Sequence, residues 1–149
     1  MLGTNRNNHG RVTPARLPDK HRKLNETDAM TLALWITAVL LTLVYIMAGG
    51  IKVVRSKAQL QPMMPWVEDF TELQVTVIGA LGLLGALGVI LPLATGIAPV
   101  FTPIAAIGLV LLQIGAITVH VRRGERSSLG VNVFLLVLAA AVAILGFLA

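Results

Sequence analysis

Cysteine is absent from this chain, so disulfides, thiolate metal sites, iron–sulfur ligation and a cysteine redox relay are all excluded. Any redox role must use a bound or borrowed cofactor. Charge is scarce as well: Asp, Glu, Lys and Arg make up 13% of the residues against 56% hydrophobic, and the mean hydropathy is +0.82. Those fractions lie well outside an ordinary soluble domain and point to a membrane protein. The chain also lacks a dinucleotide-binding fingerprint and the paired helical histidines that hold haem, so it does not read as a whole redox enzyme. Its net charge of +5 does not point to nucleic acid. Half of the Lys and Arg lie in an amino-terminal tail and the rest flank apolar segments, so the expected acidic partner is an anionic lipid surface.

What is present is a succession of apolar runs. Residues 1–28 ("MLGTNRNNHGRVTPARLPDKHRKLNETD") carry six Lys or Arg and two prolines and bury nothing obvious; they read as a polar, basic, disordered or surface-lying tail. The run over 29–51 is long enough to cross the roughly 30 Å hydrocarbon layer, and the long charged stretch before it argues against a cleaved signal peptide. The stretch "SKAQLQPMMPWVEDFTE" reads as a loop, with Pro62 and Pro65 blocking a helix and Trp66 suited to the headgroup level. From Leu73 to Val121 there is no Asp, Glu, Lys or Arg. That is too long for one span, and Pro92, Gly96, Pro99 and Pro103 divide it into helices expected over 73–91 and 100–121. A fourth helix is expected from about 129 to the end. The predicted fold class is all-α, an integral membrane four-helix bundle over 29–149, since hydrocarbon leaves the backbone few other ways to satisfy its hydrogen bonds.

Small residues suggest how the helices pack. Gly79, Gly82, Gly85 and Gly88 recur at a spacing of three in the second helix, with Ala86 beside them, and the third carries Ala105, Gly108 and Gly115. Such ridges let helices approach closely.

Four spans place the first and third connections on one face of the membrane, which gathers Lys52, Arg55, Lys57, Glu68, Asp69, Glu72, His120, Arg122, Arg123, Glu125 and Arg126. Much of this has an ordinary explanation. Cations complement the negative ends of helix dipoles, acids the positive ends, and long cationic side chains reach the headgroups. Lys52, Arg122 and Arg123 therefore read either as interfacial helix ends or as a basic rim for an acidic group. His120 lies within the apolar run, with Gln113 seven residues earlier on roughly the same face. The pair could meet a quinone carbonyl or relay a proton inside the bundle; His120 could equally sit at the interface, bonded to a backbone carbonyl or a lipid. Orientation is weakly specified, because the tail and the two opposite loops carry equal numbers of Lys and Arg. The difficulty of translocating a long basic tail favours a cytoplasmic amino terminus.

The segments "YIMAGGIKVV", "VIGALGLLGALGVILP" and "GAITVHVRRGE" together resemble the DoxX-like family of small four-helix bacterial membrane proteins, over about residues 30–149. The resemblance implies a compact bundle in the bacterial plasma membrane. It matches Gly49 and Lys52 to the end of helix one, Pro92 to the end of helix two, and His120, Arg122 and Glu125 to the end of helix three. It also marks a departure: similar proteins often carry a glutamate in the second helix where this chain has Gly82, which weakens any inherited proton-relay mechanism.

Two functions follow as expectations. The resemblance implies an accessory or anchor subunit of a membrane redox system, with quinone as the candidate ligand of His120 and Gln113 and a membrane oxidoreductase or other membrane protein as partner. The alternative is a non-catalytic factor for membrane assembly or stress tolerance, in which the glycine ridge meets a client helix. Transport is disfavoured, since no carboxylate lies within the spans and four helices leave little room for a pathway unless the chain forms a homo-oligomer.

Overall fold

A computed structural model describes residues 19–149, and its elements follow from the apolar runs. Helix α1 covers Asp19–Val54, α3 Glu72–Thr95, α4 Phe101–Arg123 and α5 Arg126–Leu148; a short α2, Lys57–Leu60, lies between α1 and α3 and is followed by a 3-10 helix, Pro65–Asp69. The four long helices are each long and apolar enough to cross a membrane. Each provides at least 23 residues, and at 1.5 Å per residue that is about 34 Å or more of helix, enough for the hydrocarbon layer. Helix α1 begins earlier than the apolar run alone suggests, so residues 19–28 are its first turns; residues 1–18 of the expected tail lie outside the described residues.

The helices form a ring. α1 packs on α3 and α5, and α4 packs on α3 and α5, so each sequential neighbour runs back beside its predecessor and α5 closes the bundle against α1. The core between them is Leu34, Ala38, Leu41 and Tyr45 from α1, Ala86 and Val89 from α3, Ala106 and Leu109 from α4, and Leu135, Leu138, Ala139, Val142 and Ala143 from α5. Large apolar side chains elsewhere, such as Leu32, Leu84, Leu111 and Phe134, are exposed and face the lipid. Lipid tails are as apolar as leucine, so close van der Waals fit rather than water exclusion holds such helices together.

That fit is tightest where glycines meet. A Cβ on Gly49 would lie 2.8 Å from the Gly79 carbonyl oxygen, and one on Gly79 would lie 2.7 Å from Lys52 Cβ. The backbones of α1 and α3 therefore touch at a point that only glycine permits. Gly82 faces the Tyr45 ring, Gly85 the Leu109 side chain and Gly88 Ala105, so the ridge of α3 is covered by α1 on one side and α4 on the other. Gly108 and Gly115 behave differently: no neighbour lies within 4 Å of the Cβ either would carry. Their grouping with the packing glycines does not hold within this bundle, because both are exposed and no other helix is packed against them.

Helix ends explain the shifted boundaries. Thr71 caps α3, accepting from the Gln74 amide while the Gln74 side chain accepts from the Thr71 amide. Pro92 does not end α3 where the sequence suggested. The helix runs one turn further to Gly96, which takes the left-handed conformation at φ 67°. Proline is tolerated there because membrane helices re-satisfy one freed carbonyl locally. Pro103 sits in the first turn of α4, where its missing N–H would have had no helical partner.

Candidate functional site

The site begins with one glycine. Gly124 ends α4 at φ 69°, a conformation that costs a residue with a Cβ. The turn then closes with the Gly124 amide bonding to Val121 O and the Glu125 amide to His120 O, at 3.1 and 3.0 Å. This is the double bond of a Schellman turn, and it folds the chain back on its last helical turn. Glu125 is thereby returned to His120, whose Nδ1 lies 2.7 Å from Glu125 Oε2. Arg123 Nε donates to the other oxygen, Oε1, at 2.7 Å. The Arg123 bond, aided by His120 and opposed by partial desolvation, holds the Glu125 carboxyl below the usual carboxylate range. An ionised carboxylate only accepts, so the His120 nitrogen facing it carries a proton.

Arg123 also ties down the first connection. Its guanidinium contacts Asp69 Oδ2 at 2.6 Å and Glu68 Oε2 at 3.6 Å. The segment expected as a plain loop is a folded cap: Leu60, Val67 and Val75 are buried together, with Ile51, Met64, Trp66 and Phe70 around them. Lys57 Nζ donates to the carbonyls of Glu68 and Phe70, at 3.0 and 2.6 Å, which fixes the 3-10 turn. Trp66 meets Phe70 edge-on at 5.5 Å and His120 edge-on at 6.4 Å. Lys52 Nζ stands 5.6 Å from the centre of the same indole, within range of a cation–π contact.

Deeper in the bundle a polar chain crosses three helices. Tyr45 Oη on α1 donates to Gln113 Oε1 on α4 at 2.9 Å; Gln113 Nε2 donates to Asn132 Oδ1 on α5; and Asn132 Nδ2 donates to Ser128 O at 2.7 Å. Each polar group here has a partner, as hydrocarbon requires. Gln113, 3% exposed, is thus locked in place rather than left to a lipid or to solvent.

Between this chain and the cap lies a partly open cavity of about 640 Å³, with mainly apolar walls and polar points at Tyr45, Lys52, Gln113, His120, Asn132 and Trp66. Its size and lining suit a small amphiphilic molecule. Three of those points make no hydrogen bond among the described residues, the Trp66 indole N–H, His120 Nε2 and Lys52 Nζ, and the last two are the ones that can discriminate between ligands or bring charge to one. His120 Nε2 has no hydrogen-bond partner among the described residues, yet no buried side-chain nitrogen or oxygen is left unpaired there, so Nε2 reaches open space at the cavity wall. Lys52 Nζ has its indole neighbour and no ion pair among the described residues.

The structure brings His120 and Gln113 to one cavity and adds Lys52 to them. It divides the three cations grouped by sequence. Lys52 lines the cavity, Arg123 is spent on Glu68, Asp69 and Glu125, and Arg122 is exposed beside them. Gly115 contributes open wall. Tyr45 and Asn132 were not singled out from the sequence. Asn132 carries the one side-chain amide in the fourth apolar run and Tyr45 is the one tyrosine of the chain, signals that could have drawn attention to both.

The model of the DoxX-like family matches residues 36–142. The chain belongs to the DoxX-like family. No curated protein and no solved structure matches it significantly. The matched region of this DoxX-like protein contains Tyr45, Lys52, the cap, Gln113, His120, Glu125 and Asn132. The Gly82 departure also acquires a physical counterpart: a Cβ there would lie 3.1 Å from Tyr45 Cδ1. The Tyr45 ring occupies the space that a side chain at position 82 would enter.

Proposed function

We propose that this DoxX-like protein is an accessory or anchor subunit of a membrane redox system and that it holds a quinone headgroup in the cavity beneath the Trp66 cap. The observation that carries this reading is the pairing of unspent polar groups, Lys52 Nζ and His120 Nε2, with apolar walls in one space of about 640 Å³. A quinone is an apolar disc with an oxygen at either end, and its polyprenyl tail belongs in lipid, so a partly open cavity between membrane helices suits both parts. Lys52 would donate to one ring oxygen, while the Tyr45–Gln113–Asn132 chain keeps the inner wall rigid. A bound quinone would supply two-electron, two-proton exchange with a partner that carries the other redox centre. In a bacterial plasma membrane with the amino terminus in the cytoplasm, the cavity and its cap face outward.

The assembly-factor reading loses its main support, because the α3 ridge expected to receive a client helix is covered by α1 and α4. The deciding experiment is purification from native membranes in mild detergent, with mass spectrometry of proteins and extracted lipids. A stoichiometric oxidoreductase with retained quinone is the expected result. A spread of unrelated membrane proteins, without quinone above the lipid background, would overturn it.

A further inference from the structure

We infer that the cavity prefers the reduced, hydroxyl-bearing form of its ligand, the quinol, over the quinone, and that Glu125 sets this preference through His120. The inference rests on the quinone reading above and adds the direction of binding. In the neutral imidazole one ring nitrogen donates and the other accepts. Glu125 Oε2, 2.7 Å from Nδ1, takes the donor, which leaves Nε2 at the cavity wall as an acceptor. Arg123 Nε holds the other Glu125 oxygen, Oε1, which keeps Oε2 turned to the ring. A quinol hydroxyl donates to Nε2; a quinone carbonyl would set lone pair against lone pair. Lys52 does not discriminate, since both kinds of oxygen accept from an ammonium. Glu125 is therefore a positioning residue. It touches no ligand and acts by choosing the His120 tautomer.

The full chain in detergent, carrying Trp35→Phe so that Trp66 is the reporting indole, is titrated with 2-methyl-1,4-naphthoquinone and separately with its pre-reduced quinol under argon. The quinol should bind roughly tenfold or more tightly, the scale of one buried hydrogen bond made rather than refused. Tenfold corresponds to about a 30 mV rise in the potential of the bound two-electron couple. Glu125→Gln gives the sharper test. Arg123 will hold the amide oxygen, so the amide N–H₂ faces His120 Nδ1, moves the ring proton to Nε2 and turns an acceptor into a donor. The quinol preference should disappear because the quinone, no longer refused, binds more tightly than to the parent protein; loosened packing would instead weaken both forms. His120→Phe keeps a ring in place and should bring the two forms within about twofold of each other. Equal affinities in the parent protein, or an unchanged preference in Glu125→Gln, would overturn the inference while leaving the quinone reading standing. If neither form binds, the quinone reading itself falls and this inference with it.

Discussion

The two ends of the bundle are built from the same four helices but finished by different means. At the end closed by residues 55–71 and the Gly124 turn, side chains bond to side chains across helices: Tyr45 to Gln113, Gln113 to Asn132, His120 and Arg123 to Glu125, and Arg123 to Asp69. At the end where α3 turns into α4, the polar groups bond to backbone. Thr102 Oγ1 donates to Val89 O at 3.0 Å and Thr95 Oγ1 to Leu91 O at 2.7 Å, and the neighbouring surface is a shallow apolar groove between Leu87, Leu91, Phe101 and Ile104. Side chain to backbone bonds finish a helix and leave nothing over. A network of side chains spanning helices positions groups relative to each other, and it is there that Lys52 and His120 are left with unspent capacity.

The largest effect should come from the closest backbone contact, which lies towards the capped end. Gly79→Ala forces a Cβ against Lys52 and Gly49 and should cost about 1–3 kcal/mol, as overpacking does, whereas Gly108→Ala, with open space around it, should leave stability unchanged or slightly raised. Thermal unfolding of the two variants in the same detergent makes the comparison. Equal losses would mean that the glycine contact between α1 and α3 is not what holds them.

Next in size are the two left-handed glycines, Gly96 at φ 67° and Gly124 at φ 69°. Alanine at either should cost about 1–2 kcal/mol through the same backbone strain. Only Gly124→Ala should also change Trp66 fluorescence and quinone binding, since only that turn carries Glu125 back to His120. A change of the same size from Gly96→Ala would erase the distinction drawn between the ends.

Smaller still are single hydrogen bonds. Tyr45→Phe and Thr102→Val should each cost about 0.6 kcal/mol, the average for interhelical hydrogen bonds within membranes. They should differ in consequence, with Tyr45→Phe weakening ligand binding by freeing Gln113 and Thr102→Val leaving it untouched.

The smallest effect expected is with pH. The folded-state titration of Glu125 lies below its ordinary value, so its contribution is complete above the unfolded carboxyl range near 4.3 and fades as pH falls through the lower folded value. Acid titration of Trp66 fluorescence should therefore show a step that is missing in Glu125→Gln. Identical titrations in the two proteins would remove Glu125 from the contacts that hold the cap.

Much of the fold was legible in the residues because hydrocarbon imposes so strong a rule. Runs of the right length, divided by prolines and glycines, predict four spans, and four spans oblige the first and third connections to share a face. Pro92 misled by one turn, because proline punctuates helices in water more sharply than in a membrane. For the site, period 3.6 placed Gln113 and His120 on one face of α4, and the apolar run around them marked both as unusual. The cap did not show. Its prolines argued for an open loop, while its order comes from Leu60 and Val67 packing on Val75 and from Lys57 capping carbonyls eleven and thirteen residues away. Nor could spacing reveal that Arg123, alike in sequence to Arg122, would be spent on three carboxylates.

Composition and run length are enough to mark an all-α membrane protein without cysteine, with charges gathered at helix ends and a histidine and a glutamine on one helical face. Those properties are local: they depend on composition, run length and helical period, and no partner from elsewhere in the chain is needed to read them. It takes the packed bundle to bring Tyr45 and Asn132 to either side of Gln113, Glu125 to one nitrogen of His120, and Lys52 and His120 to one indole. Each of these joins residues from different helices, and their relative placement follows from where α1 and α3 can touch at Gly49 and Gly79 and from the turn at Gly124. The cavity is the space those contacts leave.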